Sequence, residues 1–83
     1  MYTLVGVDGN AFAIMGYTAR ALKRTGHGEL VDRMRREAML GDYYNLIAVC
    51  DAYIDVANGE REEPYGEQAG DMRRILRSAE NDE

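Results

Sequence analysis

The chain has 83 residues, 46% of them hydrophobic, and a formal net charge of −5; that length holds one domain, and the apolar fraction excludes a compositionally disordered chain. A single cysteine, Cys50, excludes an internal disulfide framework and a cysteine-rich zinc site. No stretch approaches the ~20 apolar residues of a membrane span and "MYTLVGVDGN" does not read as a signal peptide, so the expectation is a cytoplasmic protein with no membrane association.

Residues 2–7, "YTLVGV", are β-branched and aromatic with Gly6 inside, which predicts a short extended segment. No later stretch supplies a matching strand. Its backbone groups must therefore lie over the helices facing water or pair with a second copy of the chain, which argues for a homodimer. The first helix is predicted from Ala11 to Arg24, because Phe12, Met15, Ala19 and Leu22 fall on one helical face. Asn10 is its natural N-cap, with Asp8 and Gly9 turning the chain just before it. Gly16, in mid-helix at a cost of ~1 kcal/mol relative to alanine, points to the close approach of another backbone. Arg20, Lys23 and Arg24 complement the helix dipole in the last turns, and Gly26 stops the helix.

After the loop "GHGEL", a second helix is predicted from Glu29 to about Leu40, with Leu30, Val31, Met34 and Ala38 inward. Its outer face pairs Asp32 with Arg36 and Arg33 with Glu37 at i, i+4. Gly41 ends it and Asp42 caps the third helix, Tyr43 to Ala57. That helix is the most apolar, with Leu46, Ile47, Cys50, Tyr53, Ile54 and Ala57 on the core face. Asn58 and Gly59 form a helix stop. Residues 58–66, charged and glycine-rich with the one proline, read as a linker. Residues 67–83 read as an acidic tail in which Met72, Ile75, Leu76 and Ala79 mark one face of a short fourth helix over 67–79. The acidity belongs mainly to this end: residues 1–57 hold seven acids and six bases, residues 58–83 eight acids and four bases.

Little in the chain points to catalysis. The glycines of "GVDGNAFAIMG" match neither G-x-x-x-x-G-K-[ST] nor G-x-G-x-x-G, and Asp8 would place a carboxylate where an anion should sit, so the stretch is a turn and a cap rather than a phosphate loop. His27 stands between two glycines with no second histidine or cysteine near it in sequence, which reads as a surface loop residue. Cys50, on the core face of the third helix, reads as a small hydrophobe. Asp51 and Asp55 share a helical face, but two oxygens fall short of the roughly six that a calcium or magnesium ion takes. No catalytic, metal or cofactor residue is assigned, and the expectation is a non-enzyme without cofactors.

Two surfaces remain. Arg20, Lys23 and Arg24 with Arg35 and Arg36 form the nearest thing to a basic patch, yet the chain is acidic and the helix after "LGDYY" lacks base-reading side chains, so direct nucleic-acid contact is the lesser reading. Tyr2, Tyr43 and Tyr44, among six tyrosines in so small a domain, together with Ile75 and Leu76, are the candidate interaction surface.

The stretches "LVGVDGNAFAIMGYTARALKRTG" and "MRREAMLGDYYNLIAVCDAYIDV", with their "DGNAF" turn and "GDY" helix junction, resemble a family of small proteins encoded by bacteriophages and prophages that lack an assigned function. The resemblance covers about residues 3 to 56. It implies no catalytic residues, and it implies a setting in which a small protein acts by binding a host or phage protein. The predicted fold is all-α: a three-helix bundle over residues 1–57 preceded by a short extended segment. The expected function is a non-catalytic interaction module acting by self-association or on a host or phage protein. The alternatives are a nucleic-acid-binding regulator and an acidic inhibitor of a host protein that handles nucleic acid.

Overall fold

A computed structural model describes residues 1–65; the expected fourth helix, with Ile75 and Leu76, lies outside them. The fold is an all-α bundle of three helices: α1 (Ala11–Arg24), a single 3-10 turn (Gly28–Leu30), α2 (Val31–Ala38) and α3 (Tyr43–Ala57). α2 runs back along α1, since Ala38 and Met39 lie across from Ala11 and Met15 at one end while Gly28 meets Lys23 at the other. α3 then runs in the direction of α1 and packs on both of the other helices.

Local chemistry sets most of the boundaries. Asn10 accepts from the amides of Phe12 and Ala13, and Asp42 accepts from the amide of Asn45, so each long helix opens on a side-chain cap. α1 and α3 close on the same device. Gly26 and Gly59 take positive φ, and the next amides, of His27 and Glu60, reach back to the carbonyls of Leu22 and Asp55. α2 ends differently and two residues earlier than its periodicity predicts: Asn45, in the first turn of α3, donates its side-chain amide to the carbonyls of Glu37 and Ala38. The Leu40 amide also turns back to the Glu37 carbonyl, and with the end closed in this way Met39 and Leu40 lie beyond the helix.

The core is built around α3, whose Cys50 and Tyr53 are fully buried with Leu22 of α1 and Met34 of α2. Because a helix flanked on two sides buries more than one stripe, Val49 and Val56 are buried along with Leu46, Cys50, Tyr53, Ile54 and Ala57 of the predicted face, while Ile47, expected there too, is only half-buried. On α1 the buried stripe runs through Ile14, Met15, Thr18, Ala19, Ala21 and Leu22. Phe12, expected inside, is 77% exposed. It sits in the first turn on the edge of that stripe, where Ile14 takes the inward place. Thr18 is buried without cost in unpaired polarity, since its hydroxyl donates to the carbonyl of Ile14 at 2.8 Å.

The amino-terminal segment is tied to the bundle rather than left as an open edge. Asn58 accepts from the amide of Tyr2 and donates to its carbonyl, at 2.7 and 2.8 Å. The amide of Thr3 donates to the Tyr17 hydroxyl, and Gly6, at positive φ, allows a turn in which Val7 donates to Leu4. Tyr2 meets Tyr17 edge to face. These bonds use the backbone groups whose exposure was the sequence argument for strand pairing between copies, so that argument lapses.

Gly16 has no close backbone neighbour. A Cβ there would meet only the guanidinium of Arg20, at 3.6 Å, an ordinary van der Waals distance. Its presence lowers helix propensity with no packing gain in return. Gly16→Ala is therefore expected to raise stability by up to about 1 kcal/mol, read as a higher denaturation midpoint with an unchanged m-value.

Candidate interaction surface

The "GDY" junction and the "DGN" turn, far apart in sequence, meet in space. Tyr43, at the start of α3, donates its hydroxyl to the carbonyl of Gly9 just before α1. Gly41 is held bare because Asn45 lies over it: a Cβ at Gly41 would stand 2.9 Å from the Asn45 Cβ. Between these two turns opens a shallow cavity of about 300 Å³ with Met15 and Leu46 in its floor and Phe12, Met39 and Tyr43 at its rim. Tyr44 and Leu40, each chain-adjacent to a rim residue, are 81% and 82% exposed, and Met39 is 66% exposed. Phe12 and Met39 thus leave large apolar side chains in water at the rim of this cavity, with Leu40 and Tyr44 next to them in the chain.

Of the predicted interface residues, Tyr43 and Tyr44 belong here, packed edge to face on one another. Tyr2 does not: it is half-buried against Tyr17 on the amino-terminal segment. Ile75 and Leu76 lie outside the described residues. Phe12, Met39 and Leu40 were missed. Phe12 was assigned to the core by periodicity, and Met39 and Leu40 were read as the end of a longer α2, so the early stop imposed by Asn45 is what exposes them.

A second polar feature was also missed. Glu37 was read as a solvated partner of Arg33 alone. That ion pair is present, Arg33 Nε to Glu37 Oε2 at 3.1 Å, but the other carboxylate oxygen accepts from the hydroxyls of Tyr53 and Tyr65 at 2.6 and 3.1 Å. The Tyr53 and Tyr65 rings meet edge to face with centroids 6.1 Å apart, and Pro64 beside them is fully buried. The stretch read as a linker thus folds back along α3, anchored first by Arg61 on Asp55 at 3.3 Å. The other expected pair on α2, Asp32 with Arg36, does not form. Burial by itself would push the Glu37 carboxyl up; the hydrogen bonds from Tyr53, Arg33 and Tyr65 together outweigh it and hold the group below its ordinary range. The same burial and the adjoining carboxylate push both phenols well above theirs.

The remaining titratable and nucleophilic residues do not assemble. Cys50 is fully buried against the Met34 sulfur, and burial pushes its thiol up, so it is a packing residue with little thiolate. His27 is a loop residue whose backbone serves the end of α1 and the 3-10 turn. Asp51 is exposed and Asp55 is engaged by Arg61. Among the described residues no three His, Cys, Asp or Glu side chains come together, and no helix is long and apolar enough to cross a membrane. Arg20, Lys23, Arg24, Arg35 and Arg36 are all exposed and make no ion pair with any described residue. In comparisons with protein-family models, curated proteins and solved structures, nothing matched this chain.

The Glu37 cluster sets a pH dependence. A carboxyl whose folded pKa lies below its unfolded value stabilises fully above the unfolded pKa, and that contribution is lost as pH falls through the folded one. Tyr53→Phe, which removes one donor, is expected to cost about 1.5 kcal/mol at neutral pH and to move the Glu37 carboxyl upward in a carbon-detected NMR titration. The stability gap between wild type and variant should narrow at pH values below the folded pKa of Glu37; a gap that stays constant down to acid unfolding would show that the hydroxyl contributes nothing through the charge.

Proposed function

We propose that the protein is a non-catalytic interaction module, of the phage or prophage kind its sequence resembles, that binds a host or phage protein or a second copy of itself. The observation that carries this reading is the exposure of Phe12 and Met39 at the rim of the shallow cavity where the two turns meet, with Leu40 and Tyr44 exposed next to rim residues in the chain. Burying four such side chains against a partner supplies the apolar centre that protein interfaces use, and Tyr43 and Tyr44 add polar tips at its rim. Replacing Phe12 and Tyr44 together by Asp is expected to leave the fold intact by circular dichroism, since both point into water. A tagged copy expressed in bacteria and analysed by light scattering and by mass spectrometry of co-purified proteins should lose, in the variant, the self-association or the co-purifying protein seen with wild type. Identical behaviour of the two would remove this surface from the function.

A second reading, nucleic-acid binding, is favoured by the five exposed basic residues without ion-pair partners among the described residues. It predicts that a DNA or RNA probe binds at low salt with affinity falling steeply as salt rises, and that neutralising Arg20, Lys23 and Arg24 reduces the salt slope. No retardation of either probe at low salt would dispose of it.

A further inference from the structure

We propose that the exposed seam between α1 and α2 receives an acidic amphipathic helix of a partner protein: an apolar side chain of that helix enters the cavity between Phe12 and Met39, and its carboxylates meet Arg20, Lys23 and Arg35. The inference rests on the Phe12 surface being an interface and names the chemistry of what binds there. Phe12, Gly16 and Lys23 follow one line along α1, at i, i+4 and i+11. That line borders α2 at both ends, since Phe12 shares the cavity with Ala38 and Met39 while Lys23 meets Gly28. Arg20, one turn past Gly16, lays its guanidinium beside that glycine, where a Cβ would stand 3.6 Å from it. On the α2 side Arg35 is exposed, one turn before Met39. The seam is therefore apolar at one end and cationic along its length. From Phe12 to Lys23 it runs about 16 Å, which a helix of about three turns covers.

The distribution of charge selects the partner. α1 contains no acid and α3 contains no base. Arg33 and Arg61 are taken by Glu37 and Asp55, whereas Arg20, Lys23, Arg24, Arg35 and Arg36, all on α1 and α2, make no ion pair with any described residue. The acids at the cavity end are engaged: Asp42 in the wall accepts from the amide of Asn45, and Asp8 accepts from the amide of Asn10. Asp32 is the exposed acid of α2 and does not offset the bases around it. Carboxylates are attracted to such a face, and an apolar side chain among them is drawn to Met15 and Leu46 in the cavity floor. A phosphate backbone would meet the arginines but leave Phe12, Met39 and that floor in water. A second copy pairing this seam with itself would set the bases of α1 against like charges, on top of a net −5 on each chain. An acidic helix with an apolar stripe answers both halves of the seam.

Titration of the isotope-labelled full chain with synthetic peptides, followed by amide NMR shifts, tests this. Two peptides of about 15 residues carry the same leucines at i, i+3, i+4, i+7 and i+11 and differ only in having glutamate or lysine at the remaining charged positions. The glutamate peptide is expected to shift the amides of residues 12–23 and 35–39 and to bind about tenfold more tightly than the lysine peptide, a margin that shrinks as salt rises. Arg20→Glu combined with Arg35→Glu should weaken it about tenfold, and Phe12→Ala should do the same by about tenfold. Arg24→Glu, the same charge change one residue round the helix from the seam, should weaken it about twofold at most. All four positions are exposed, so circular dichroism should match wild type throughout. Absence of binding by the glutamate peptide, equal binding of the lysine peptide, or an equal loss from Arg24→Glu would overturn the proposal. A DNA duplex that shifts the same amides regardless of Phe12→Ala would overturn it by assigning the seam to nucleic acid, and shifts there on concentrating the protein alone would assign it to a second copy. Where any of these comes with an association that the Phe12 and Tyr44 substitutions still abolish, the interface stands and only its acidic partner falls.

Discussion

The carboxylate of Glu37 is the point at which three separate parts of this small chain are tied together. It stands on α2, takes a hydroxyl from Tyr53 of α3 and another from Tyr65 of the returning segment, and pairs with Arg33 one turn back on its own helix. A carboxylate drawn partly out of water is tolerated only when its oxygens are supplied with donors, and the two tyrosine donors here are held by packing of their own: Tyr53 is fully buried and Tyr65 meets its ring edge to face. The arrangement therefore constrains more than one contact. It fixes how the short α2 lies on α3 and why residues 60–65 turn back along α3.

The other end of the molecule is organised by a second economy of polar groups. Asp42 caps α3, Asn45 in the same turn caps the end of α2, and Tyr43 between them reaches across to the carbonyl of Gly9. The end of α2, the start of α3 and the turn before α1 are thereby satisfied by three neighbouring side chains. The cost of so tight a junction is that Met39 and Leu40 have no helix to continue and no core to enter. Together with Phe12, at the edge of the first turn of α1, they leave an apolar surface in water. The candidate interaction surface is thus a consequence of how the α2–α3 junction is closed, which links the local capping chemistry to the proposed function.

The elements whose limits are set by nearest neighbours were legible in the sequence. The bounds of α1 and α3, the caps at Asn10 and Asp42 and the glycine stops after both helices follow from side chains within a few residues of the backbone groups they serve. The early end of α2 was not, because the group that ends it, Asn45, acts from the next helix. Gly16 misled for a related reason: a glycine in mid-helix can mark a tight contact or none, and its own sequence context is the same in both cases. The amino-terminal segment was read as an edge seeking a partner when its amide and carbonyl at Tyr2 are met by Asn58, 56 residues away.

What the sequence by itself determined is therefore the all-α class, the three helices, the apolar character of α3 and the lack of any local motif for phosphate, metal or nucleophilic catalysis, since each rests on periodicity or spacing within one segment. Only the tertiary structure decided that Glu37 is a shared acceptor and not a solvated charge, that Pro64 is buried and Tyr65 packs against the core, and that Phe12, Met39 and Leu40 face water while Ile14 and Val49 do not. The physical reason is the same in each instance. Periodicity states which side chains share a face, but whether that face is covered depends on which other elements arrive there, and a polar side chain is assigned its role by donors that only packing brings within 3 Å or so.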